Sequence, residues 1–146
     1  MDLKLFFDAI DEKLASEALP NDSLFNFIYV NQHKMPEKEG LDIAIIGLNE
    51  IRGNNTINTS GTDQIRKKLY SLKKGVGSCN IADLGNLRNG PSREETVVRI
   101  KEVVFHLMED NILPILIGGT HDLDFGQYLA YENQEKLVSI LNVDSE

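Results

Sequence analysis

Two short uncharged runs, Ile43-Ala44-Ile45-Ile46 closed by Gly47 and Leu113-Pro114-Ile115-Leu116-Ile117 closed by Gly118, constrain this chain more than any other feature. Neither alternates polar with apolar, as a strand with one wet face would. Each therefore reads as a strand covered on both sides, the condition of a parallel sheet. Pro114 stands near the start of its run, where a missing donor costs least. Parallel strands must be joined by crossovers, usually helical, so the next question is whether helices lie between and after these runs.

They do. Ile65, Leu69 and Leu72 recur at i, i+4 and i+7 with Arg66, Lys67 and Lys68 between them, which predicts an amphipathic helix ending near Gly75 and Gly77. Ser92-Arg93-Glu94-Glu95 has the form of a capping box and predicts a helix start, with Val97, Ile100, Val104 and Leu107 on one face and Asn111 at the end. A further helix is expected from about Asp124 to Glu132. Ile81 to Leu87 is a weaker strand candidate, and Leu137 to Val143 reads as a final strand. Strands and helices in this order predict right-handed crossovers and an α/β domain, with helices on the faces of a mostly parallel sheet.

The first forty residues are less regular. Leu3, Phe6, Phe7, Ile10 and Leu14 have helical spacing before Pro20 and Asn21 interrupt, so a short amphipathic helix is expected there. Leu24 to Val30 suits a strand or a packed helical turn. Asn31 to Gly40 is polar and carries Pro36, as a surface loop or linker would. We divide the chain into an extension, residues 1–40, packing on a domain portion, residues 41–146. At 146 residues the chain has room for one domain or most of one.

Charge narrows the partners. Lys and Arg total 15 and Asp and Glu 23, so the net charge is 15 − 23 = −8, with no long basic run. Such a field repels phosphate backbones and acidic lipid surfaces, so neither nucleic acid nor membrane is expected as a partner. A single cysteine, Cys79, excludes an internal disulfide framework and a Cys-rich zinc site, and suits a cytoplasmic location. No apolar run approaches the ~18 residues of a membrane span, and the N-terminus has acids where a signal peptide would have bases.

Ligands of open α/β sheets gather beyond the carboxyl ends of the strands. Two such ends carry chemistry here. Gly118-Gly119-Thr120-His121-Asp122 places an imidazole and a carboxylate after paired glycines, and in Asn142-Val143-Asp144-Ser145-Glu146 alternation puts Asp144 and Glu146 on one side of the chain. A histidine with carboxylates is a mixed N/O donor set suited to manganese, iron or zinc, although a His-Asp turn also serves simply as a solvated or capping turn. His33 and His106 lack ligand-type partners at useful spacing, and Cys79 reads as a small packed residue. Gly75-Val76-Gly77-Ser78-Cys79-Asn80 imitates a dinucleotide fingerprint but has Asn80 at the third glycine and no helix opening there.

Taken in order, these segments resemble the ureohydrolases, the family of arginase, agmatinase and formimidoylglutamase. Ile117-Gly118-Gly119-Thr120-His121-Asp122 is similar to the family's first metal motif, Gly-Gly-x-His-Ser. Ile43 to Gly47, the Arg52-Gly53-Asn54 turn, Gly61 to Tyr70 and Ala82-Asp83-Leu84-Gly85-Asn86 resemble its first strand, glycine-rich loop, Ile-Arg helix and Asp-Leu-Gly element, and Asp144 falls at the first Asp of Asp-Ala-His-x-Asp. The resemblance spans roughly residues 41 to 146 and implies a three-layer α/β/α fold of arginase type, truncated, as the front portion of a larger protein. It also implies hydrolysis of a C–N bond in a linear amidine such as arginine, agmatine or formiminoglutamate. Two manganese ions would serve the reaction, with His121 and Asp144 as ligands and Glu146 at the place of the second motif's histidine. Separately, the last strand, ending at Val143, is expected to leave an open edge, so a homo-oligomer is expected. Asp122 replaces the usual serine, and the second motif's last Asp and the later Asp-x-Asp pair are not present, so the chain alone is expected to be inactive. The alternative is a non-catalytic member of the fold kept for binding or assembly.

Overall fold

The computed structural model describes residues 2–15, 19–52, 61–134, 137–141 and 143. Its centre is a sheet of β3 (Ile43–Leu48), flanked in parallel by β4 (Ile81–Leu87) on one side and β5 (Leu113–Gly118) on the other. The register aligns Ile43 with Ile81 and with Leu113, so all three strands run from one edge of the sheet to the other together. Their carboxyl ends form one rim. Ala44, Ile46 and Leu48 of β3 join a core with Ile100, Val103, Val104 and Leu107 of α3 (Arg93–Glu109) and Leu123 and Ala130 around α4 (Asp124–Glu132). The opposite face of β3 and β4 carries α2 (Thr62–Ser71).

The Ser92 half of the capping box on α3 forms: Ser92 Oγ accepts from Glu95 N at 3.1 Å, and the chain leaves the helix through Asn111 at φ 60°. The helix expected at Asp124 to Glu132 is α4. Between Leu24 and Val30 both readings are realised in turn, a 3-10 turn at Leu24–Phe27 followed by β2 (Tyr29–Val30).

The N-terminal helix is corrected. Instead of one helix over Leu3 to Leu14, there are a 3-10 turn at Leu3–Leu5, β1 (Phe7–Asp8) and a single helical turn, α1 (Glu12–Ala15). The cause is tertiary: β4 offers a ladder edge, and Phe7 and Asp8 pair antiparallel with Leu87 and Asn86 on it while Tyr29 and Val30 pair parallel with Ala82 and Asp83. Extended backbone at Phe7 gains those bonds and buries the ring, which a free-standing helix of this length cannot match. Asn31, placed in the polar linker, is buried and donates Nδ2 to Leu84 O at 2.8 Å, and Met35 joins the core.

A second correction concerns Leu137 to Val143. Residues 137–141 and 143 form no strand, and Leu137, Ile140, Leu141 and Val143 are exposed. Apolar continuity alone does not make a strand; a ladder partner is required, and none of the described strands supplies one to this segment. Among the described residues β5 therefore ends the sheet, paired only with β3.

Candidate functional site

At the carboxyl rim, β5 turns through Gly118 and Gly119, both at positive φ (80° and 79°). A side chain at Gly119 would also stand 2.7 Å from Leu123 Cδ1 and 3.1 Å from Leu48 Cβ, so the paired glycines are required by both the turn and its packing. They deliver Thr120, His121 and Asp122 to the rim. His121 is exposed and opens a short 3-10 turn. Asp122 is held by Arg93 of α3, Nη1 to Oδ2 at 3.0 Å, with both side chains partly open to solvent. Thr120 Oγ1 is buried without a hydrogen-bond partner among the described residues, so this turn contains an unused polar atom.

Beyond the end of β3, Glu50 is buried at the rim and its carboxylate is saturated. Arg52 approaches it through Nε at 2.9 Å to Oε1, through Nη2 to Oε2 and through its backbone N at 2.9 Å, and Thr96 donates Oγ1 to Oε2 at 2.9 Å. The same guanidinium donates to Gly90 O and Pro91 O, each at 2.8 Å. Glu50 and Arg52 thus tie the loop after β3 to the entrance of α3. Hydrogen bonds from Arg52 outweigh the burial that opposes charge, and hold the Glu50 carboxyl at about 2.

Below the rim, on the α2 face, lies a buried charge pair. Arg66 donates Nε to Asp83 Oδ2 at 2.9 Å and Nη2 to Asp83 Oδ1 at 3.0 Å; Nη1 reaches Asn86 Oδ1 at 2.6 Å, Nη2 reaches Gly85 O at 3.0 Å, and Tyr70 OH donates to Asp83 Oδ2 at 2.9 Å. Burial works against the Arg66 charge, and the Asp83 carboxylate overrides it, so its pKa lies above the ordinary value. Burial and then Asp83 raise the Tyr70 phenol, which stays protonated and donates. This reverses the face expected of α2: Thr62, Arg66 and Tyr70 are buried, while Ile65 and Leu72 are exposed. The helix follows its charge pair rather than its apolar stripe, since an unpaired Asp83 in the sheet would cost more than exposing two aliphatic side chains.

The Ile-Arg helix and the Asp-Leu-Gly element are therefore two halves of one network. Glu50 and Arg93 escaped sequence reasoning as participants in the rim, and Arg52 entered it only as part of a turn. The available signal was position: charged residues just past the end of a buried strand, and an arginine in the first turn of a helix whose start faces that rim.

Of the proposed ligands, only His121 is described. Asp144 and Glu146 lie outside the described residues, as do residues 53–60 of the loop between β3 and α2. Among the described residues no three His, Cys, Asp or Glu side chains converge on one point. Among the described residues, one exposed imidazole, with its neighbouring carboxylate committed to Arg93, does not by itself make up a two-metal centre.

A largely parallel sheet, helices on both faces and a glycine turn presenting histidine at the carboxyl rim define an α/β domain of the class that keeps its chemistry at that rim. The chain belongs to the arginase family, whose family model matches residues 42–145. That is a hydrolase family. A formimidoylglutamase from Streptococcus gordonii is 26% identical over 133 residues, covering 84% of this chain and 40% of that protein. The chain thus spans 40% of the length of that relative. No helix among the described residues is long and apolar enough to cross a membrane.

Proposed function

We propose that this chain is part of a manganese-dependent ureohydrolase acting on a linear amidine, and that it contributes His121 as the first metal ligand. In the reaction, water adds to the amidine carbon and the C–N bond to the amine breaks, the amine leaving with a proton. The observation that carries the reading is the Gly118-Gly119-Thr120-His121 turn, which puts an exposed imidazole at the rim within a family match over residues 42–145. The formimidoylglutamase relative favours formiminoglutamate over arginine or agmatine as substrate. Asp144 and Glu146 are proposed as further donors. A cytoplasmic location is part of the same reading, supported by the lone Cys79.

Three histidines make the test direct. With Mn²⁺ added, the imidazole signals of His121 should broaden selectively over those of His33 and His106 in the NMR spectrum. Equal broadening of all three, or none at His121, overturns the assignment. The chain alone is expected to release no urea or formamide from arginine, agmatine or formiminoglutamate. Turnover abolished by His121→Ala would show that its own residues complete the site. If neither binding nor turnover is found, the non-catalytic reading takes its place.

A further inference from the structure

We propose, resting on the reading of His121 as a donor at the rim, that Arg93 is a positioning residue for His121 and acts through Asp122. The turn after β5 is anchored at its two ends. Thr120 and Leu123 are buried, and Leu123 N donates to Thr120 O at 3.0 Å. Leu123 also packs against Gly119, where an added Cβ would stand 2.7 Å from its Cδ1. His121 and Asp122, between those ends, are both exposed. Burial therefore fixes the base of the turn and leaves the crown, where the imidazole stands, to be held by other means.

Arg93 supplies that hold. Its Nη1 donates to Asp122 Oδ2 at 3.0 Å, from 29 residues away in the chain. The guanidinium also lies 3.5 Å from Glu94, a carboxylate of its own helix that is more open to solvent than Asp122 and ties Arg93 to nothing outside α3.

An ion pair anchors only as well as the element that bears it. Arg93 opens α3, whose first turn is capped by Ser92 and joined to the end of β3 by Thr96, which donates to Glu50 Oε2 at 2.9 Å. Just before that turn Gly90 O and Pro91 O accept from Arg52, and further along Ile100, Val103, Val104 and Leu107 pack into the core. The start of α3 is thus a fixed body, and Arg93 extends it to the turn that carries His121. The pair also occupies the carboxylate next to the imidazole in the chain, so the turn presents His121 rather than a His-Asp couple. A pair this open to solvent adds little to the stability of the whole fold, and its effect is therefore local.

Amide exchange in the unaltered chain and in Arg93→Ala tests this. Leu123 N closes the turn on Thr120 O, and Asp124 N closes it on His121 O and Asp122 O. Both amides should exchange about three- to fivefold faster in the variant, while core amides of α3 and β3 keep their rates. Asp122→Asn should give the same acceleration, and the double variant no more. Arg93→Lys, which keeps one charged donor where the pair uses one, should restore slow exchange. With Mn²⁺ added, half-broadening of the His121 imidazole should need about three- to fivefold more metal in Arg93→Ala than in the unaltered chain, and Arg93→Lys should reverse that too.

Unchanged exchange at Leu123 and Asp124 overturns the proposal, as does an acceleration spread evenly through α3, the mark of general destabilisation. So does faster exchange with an equal or lower Mn²⁺ requirement, since Arg93 would then hold the turn without serving His121. If His121 of the unaltered chain is not broadened by Mn²⁺, the hydrolase reading fails on its own test, while exchange at Leu123 and Asp124, which needs no metal, still decides whether Arg93 holds the turn.

Discussion

Arg66 shows how a single side chain can overrule a pattern. Its guanidinium is fully buried and every bond it makes on the sheet involves a residue of β4. Arg66→Ala should destabilise the protein by about 3–5 kcal/mol in chemical denaturation, because Asp83 would be left buried and uncompensated. Gly47 belongs to the same network. A Cβ there would lie 2.6 Å from Arg66 Nη2 and 2.8 Å from Thr62 Cγ2, so Gly47→Ala should cost about 1–3 kcal/mol through displacement of α2. At the rim, Glu50 sets a pH dependence. Its folded-state value is depressed to about 2 from 4.5, so the stability it contributes is present above 4.5 and is lost as pH falls toward 2. Thermal unfolding followed from pH 6 to pH 2 should show a drop in Tm for the wild type that is smaller in Glu50→Gln, whose residue 50 no longer titrates.

Among the elements, α2 and α3 form a contrast that is itself testable. α3 was legible because its signals are local: Ser92 caps an amide three residues on, and its apolar positions face the core. Ser92→Ala should therefore cost about 1 kcal/mol. α2 was legible as a helix but not in its orientation, since helical periodicity does not say what the sheet beneath carries. Ile65→Gln and Leu72→Gln should each change stability by less than about 0.5 kcal/mol, as expected of exposed sites. Losses of several kcal/mol in denaturation would mean that the apolar stripe is covered after all.

For the molecule as a whole, the residues before Leu41 cover the β4 edge of the sheet. Phe7 is 3% exposed and stands opposite Leu87. Phe7→Ala should cost about 3–5 kcal/mol by the cavity it leaves, and should also speed amide exchange along β1. A merely appended N-terminal segment would give neither effect.

The amino-acid sequence by itself determined the central strands, α3, α4 and the glycine turn bearing His121. Each is specified by neighbours in the chain: an uncharged run of strand length, a cap three residues from its amide, two glycines where φ must be positive. Only the tertiary structure decided that Phe7 and Asp8 are extended, that α2 buries Arg66, and that Leu137 to Leu141 form no strand. The deciding group lies far along the chain for two of these, the β4 edge for β1 and the Asp83 carboxylate for α2, and among the described residues no strand offers a ladder to residues 137–141. Hydrogen-bond partners and buried charges at long separation leave no periodic mark on the segment they control, whereas caps, turns and apolar runs do.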